Sequence, residues 1–96
     1  MKGILIIYAP ALECFVMGAL ENAGQKKYTK ADGLHGIGGS SEPHLDTNIW
    51  PGTNSALFIA ADERTKALIL TEVAKIKKQY SELGIKAFAF PLEEIV

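Results

Sequence analysis

The stretch Gly3-Ile4-Leu5-Ile6-Ile7-Tyr8-Ala9, stopped by Pro10, decides how the rest of the chain is read. It is short, isoleucine-rich and apolar without alternation, which predicts a strand buried on both faces. The residues after it change period. Leu12, Phe15, Val16, Ala19 and Leu20 fall at i, i+3, i+4, i+7 and i+8 and mark one face of a helix. Pro10 suits the first turn of that helix and Gly24 its C-terminal stop. Lys2 and the apolar run to Leu20 also loosely resemble a secretion signal. Pro10 and Glu13 interrupt the run, and Glu21 and Asn22 stand where small residues would mark a cleavage site. A buried strand followed by a helix is therefore expected, and the protein is expected to be cytoplasmic.

Working outward, Lys26 to Asp32 is read as a second strand, with Tyr28 and Thr29 as its strand formers. Ser55 to Ala61 is a third, centred on Leu57, Phe58 and Ile59. Asp62 is a helix N-cap, with Glu63 in the first turn. The second helix carries the stripe Ile69, Val73, Ile76, Tyr80 and Leu83, and Gly84 is expected to end it. Lys75, Lys77 and Lys78 lie on its solvated side. Ile85 to Phe90 is the last strand, closed by Pro91. The order βαββαβ predicts an α+β sandwich, a four-stranded antiparallel sheet with two helices on one face.

With 96 residues the chain is expected to form one domain, residues 1–96. Ten basic and eleven acidic residues give a net charge of −1, which excludes a nucleic-acid binder working by bulk electrostatics. A single cysteine excludes an internal disulfide framework or a multi-cysteine zinc module. Apolar residues make up 48% of the chain and the mean hydropathy is +0.12. The helices cover one sheet face only, so a second apolar face is expected to meet another subunit.

Gly33 to Asn54 does not fit a minimal sandwich, because a hairpin connection needs only about 2–5 residues. The segment holds five of the nine glycines, both histidines, the only tryptophan (Trp50), Pro43 and Pro51. A connection of that length and content is expected to be functional and to become ordered when a ligand or partner binds. Gly36-Ile37-Gly38-Gly39-Ser40-Ser41 has the composition of an anion cradle made of backbone N–H groups. His35, His44 and Asp46 are ligand types for a divalent transition metal, without the spacing of a structural zinc site. Cys14 lies off the apolar stripe of the first helix. With Met17 it is expected to act as a small hydrophobe against the sheet edge or a neighbouring subunit. No Ser-His-Asp set, carboxylate pair or dinucleotide fingerprint can be made out, so an enzyme is not expected.

Three segments resemble the nitrogen-regulatory PII signalling proteins and their PII-like relatives. Ile6-Ile7-Tyr8-Ala9-Pro10 with Leu12-Glu13 is similar to that family's I-I-K-P-x-x-L-[DE] entry to its first helix. Tyr28-Thr29 and Gly33-Leu34 resemble the V-T and G-F that lead into the family's large loop. Lys86-Ala87-Phe88-Ala89-Phe90-Pro91-Leu92-Glu93-Glu94 resembles K-I-F-V-x-P-V-E-E. The resemblance implies a homotrimer of ferredoxin-like subunits that bind small effectors in the clefts between them. It also implies that a long loop acts on a membrane transporter or an enzyme. By position, Thr29 would touch an adenine and Lys86 the phosphates, with Gly33, Gly36 and Gly38 nearby. The family's phosphate loop T-G-x-x-G-D-G-K corresponds to Gln79–Lys86, where only the lysine is kept in register. The effector itself is left open between an adenine nucleotide and another small anion, and ATP binding is expected to be weak or absent. The alternative expectation is a metal sensor or chaperone of the PII-like group that uses the loop histidines.

Overall fold

The computed structural model describes residues 1–36 and 53–96. Its elements are β1 (Lys2–Tyr8), α1 (Glu13–Asn22), β2 (Thr29–Leu34), β3 (Asn54–Ala61), α2 (Glu63–Gln79) and β4 (Ile85–Pro91). A 3-10 turn, Pro10–Leu12, leads into α1. The four strands form one antiparallel sheet in the order β2-β3-β1-β4. β1 and β3 therefore lie at the centre, and each helix connects two strands that have one other strand between them. This is the ferredoxin-like βαββαβ sandwich.

Register assigns the faces. Ile4 pairs with Ile59 and Ala89, Ile6 with Leu57 and Ala87, and Tyr8 with Ser55 and Ile85. Ile4, Ile6 and Tyr8 are 0–1% exposed and join Leu12, Val16, Leu20, Ile69, Val73 and Ile76 of the helices in one core. The alternate residues of β1 differ: Leu5 and Ile7 are only half-buried. β1 is thus sealed on the helix side alone, and its other side is the uncovered sheet face. Phe15, read as part of the buried stripe, is 44% exposed and stacks instead on Tyr80, ring centroids 4.6 Å apart.

Helix ends follow local chemistry. α1 ends in a Schellman motif: Gly24, at φ +77°, donates to the Glu21 carbonyl, and Gln25 donates to Leu20. The Asp62 carboxylate caps α2 by accepting from the Thr65 N–H at 2.8 Å. The end of α2 and both ends of β2 differ from expectation. α2 stops at Gln79, because Tyr80 leaves helical geometry at φ −119°, ψ 60°. A turn closed by Leu83 N–H on the Tyr80 carbonyl then leads to Gly84, and Tyr80 and Leu83 still pack against the core. β2 begins at Thr29 rather than Lys26 and runs on to Leu34. The residues before it form a connection in which the Gln25 amide donates to the Lys27 carbonyl. Gly33, placed by sequence at the start of the long loop, lies inside β2 at φ +70°, where the pairing with β3 is irregular between Ala31 and Leu34.

Candidate functional site

The uncovered sheet face is built from the odd positions of β1 and their partners. Leu5 pairs with Phe58 and Phe88, Ile7 with Ala56 and Lys86, and Gly3 with Ala60 and Phe90. Phe58, Phe88 and Phe90 are 37–47% exposed here. These exposed apolar residues make this face a candidate interaction surface.

Thr29 and Lys86 bound this face. Thr29 pairs with Phe58 and so shares its side of the sheet, at the β2 edge. Lys86 pairs with Ile7 at the β4 edge. Both are exposed. Three inter-strand steps of about 4.8 Å separate the two edges, so they stand on the order of 14 Å apart within one chain. One compact ligand group cannot touch both from the same copy. Two surface depressions, about 110 Å³ beside Lys2, Lys66 and Phe90 and about 400 Å³ along Gln79–Leu83, include neither Thr29 nor Lys86.

His35 and Gly36 follow β2 and are exposed. Gly38, His44, Asp46 and Trp50 lie outside the described residues. Among the described residues no three His, Cys, Asp or Glu side chains gather as a metal site. Cys14 is exposed on α1 and does not pack on the sheet edge within this chain, whereas Met17 packs against the core.

On the helix side, at the end of the sheet from which residues 35–53 leave, lies a polar cluster that the sequence reading missed. The Tyr8 hydroxyl, buried at the end of β1, donates to Glu13 Oε1 at 2.6 Å. Lys30 Nζ donates to Glu13 Oε2 at 2.7 Å and stands 3.7 Å from Asp32 Oδ1. Ser55 Oγ donates to that Asp32 oxygen at 2.8 Å. Burial, then the bond to Glu13, pushes the Tyr8 phenol well above its ordinary value. Burial alone would raise the Glu13 carboxyl, but the hydrogen bonds from Lys30 and Tyr8 outweigh it and hold it below the usual glutamate value. The bond to Glu13 raises the Lys30 ammonium. Strand parity carried the missing signal: with Thr29 on the open face, Lys30 must turn to the helix side, where Glu13 begins α1.

No protein-family model and no curated protein matches the chain. Solved structures do. CPII, a nitrogen regulatory PII-like protein from Thiomonas intermedia K12 bound to ADP, AMP and bicarbonate, aligns at TM-score 0.66 and 20% identity, over 99% of this chain and 94% of that one. The same protein with ADP, AMP and acetate aligns at TM-score 0.68 and 18% identity, over 97% and 88%. A PII-like signalling protein from Thermus thermophilus aligns at TM-score 0.66 and 20% identity, over 93% and 83%. The fold is that of the PII-like proteins. The resemblance read from Ile6–Glu13, Tyr28–Leu34 and Lys86–Glu94 thus holds at the level of the chain path. No helix of the described residues is long and apolar enough to cross a membrane.

Proposed function

We propose that the chain is a PII-like signalling regulator that works as a homotrimer. Three copies bury their open sheet faces together, and each cleft between neighbours receives Thr29 from one copy and Lys86 from the next. The cleft takes a small effector, an adenine nucleotide or a small anion, and residues 33–54 carry the response to a transporter or enzyme partner. One observation carries this reading. The two site residues flank a single exposed apolar face from opposite edges, so that face and that site are completed together by a second copy. Burial of apolar surface at about 25 cal/mol per Å² drives the association. CPII, of the same fold, is described with ADP, AMP and bicarbonate bound, which supports this effector class. Of the three candidate metal ligands His35, His44 and Asp46, only His35 lies among the described residues.

Light scattering combined with thermal shift tests the proposal. The wild type should run as a trimer and melt higher with ADP, AMP or bicarbonate, because a ligand bound only by the folded state raises its stability. Phe88→Asp should yield folded monomers that no longer respond to these ligands. A stable wild-type monomer at micromolar concentration, or an unchanged ligand response in Phe88→Asp, would remove the cleft.

A further inference from the structure

β2 is the least secured element of the sheet. All six of its residues are exposed, it is an edge strand, and its regular pairing with β3 covers only Thr29–Ala31 before the bulge. A strand held so sparsely opens locally at little cost. Two side-chain links tie it down from the helix side. Asp32 is linked to Ser55, which is 3% exposed at the start of β3. Lys30 reaches Glu13 in the first turn of α1, and the second oxygen of that carboxylate is occupied by the buried Tyr8 hydroxyl of β1.

We propose that Lys30 and Glu13 are positioning residues: their ion pair, anchored through Tyr8 to β1, fastens β2 to the body of the domain and fixes where Thr29 stands. The inference rests on the reading of Thr29 as an effector contact, but the fastening is observable without any effector. Side chains alternate along a strand, so Lys30 held on the helix side dictates that its neighbour Thr29 faces the open side. Removing the lysine frees the strand to twist or fray, and Thr29 moves with it. Glu13 keeps its Tyr8 bond when Lys30 is lost, so the damage stays local. Removing Glu13 would instead leave a buried phenol without its acceptor, which makes Glu13→Gln the milder probe of that position.

Hydrogen exchange on the protein without ligand is the test, with Lys30→Met, Lys30→Arg, Glu13→Gln and the Lys30→Met/Glu13→Gln double variant. Exchange at the β2 amides should rise roughly two- to fivefold in Lys30→Met and in Glu13→Gln, the range of an exposed ion pair released by local opening. The double variant should be no worse than Lys30→Met alone, and Lys30→Arg should exchange like the wild type. Amides of β1 should stay unchanged throughout. Wild-type exchange of β2 in Lys30→Met, or additive effects in the double variant, would overturn the fastening. ADP titration supplies the second readout. Weaker ADP binding by Lys30→Met supports positioning, and unchanged ADP binding by a loosened β2 overturns it. A wild type that does not bind ADP, together with a loosened β2 in Lys30→Met, would overturn the effector reading and leave the fastening supported.

Discussion

The rings of Phe58 and Phe90 stand 6.3 Å apart, centroid to centroid, on strands separated by β1. Gly3, the β1 residue paired with Phe90 and diagonal to Phe58, leaves room for that approach. A Cβ at Gly3 would lie 2.5 Å from Cε2 of Phe90. The two aromatic rings thus form one patch on the open face by using the space that any other residue at position 3 would fill.

Gly3→Ala therefore separates folding from assembly. The Phe90 ring, at the end of a flexible and exposed side chain, swings aside, so the melting point of the monomeric domain should change little. The patch it shares with Phe58 should break, and sedimentation velocity should show weaker self-association than the wild type. Unaltered association would mean that the face is not the contact surface.

Leu57→Ala tests the opposite face. Leu57 is fully buried between Ile6 and the helices. Its truncation should cost about 2–5 kcal/mol in urea unfolding, the range for cavity-forming core substitutions. Phe58→Ala, one residue along but on the open face, should cost the monomer much less.

Glu13 sets an acid limb. Its carboxyl is held below the usual glutamate value in the fold, so its stabilisation is complete above the unfolded value of about 4.3 and is lost as pH falls through the lower folded value. The denaturant midpoints of wild type and Glu13→Gln should differ by a constant amount at neutral pH and converge only below about pH 4. Asp62, held low chiefly by the Thr65 backbone bond, and Glu63, held low chiefly by Lys66, titrate alike in both proteins and cancel. A difference that persists unchanged to about pH 2 would argue against the pairing with Lys30.

If the proposed cleft uses Lys86 as its one phosphate-facing cation, affinity should not climb with phosphate number. AMP, ADP and ATP should bind within roughly tenfold of one another, since exposed charge interactions are weak and screened. Lys86→Ala should weaken all three alike. Isothermal titration checks this, and a steep preference for ATP that collapses in Lys86→Ala would show a fuller phosphate site.

What the sequence revealed was what neighbouring residues decide. The Gly24 stop and the Asp62 cap are chemistry within a few positions, and the face of α2 follows from its spacing. The limits of β2 depended on its register against β3, and the end of α2 on a backbone turn at Tyr80 with no glycine or proline to announce it. Phe15 fitted the helical period yet faces Tyr80 at the surface, because the sheet beneath α1 is already filled by Leu12, Val16 and Leu20. At the candidate site, Thr29 and Lys86 are candidates from the family resemblance alone, and their places on opposite margins came only with strand order. The Tyr8, Glu13, Lys30, Asp32 and Ser55 cluster joins five separate positions of the chain, and no local pattern contains it.

The two outer strands also govern how copies of this protein avoid one another. Each leaves a row of backbone donors and acceptors that another chain could extend without limit into a fibre. On β4 the row is stopped by Pro91, which has no N–H to offer. On β2 it is stopped by the irregularity around Gly33, which turns the backbone out of line. With both margins blunted, the homotrimer proposed above would form by copies meeting face to face rather than by adding strand to strand, and such a contact would be finite.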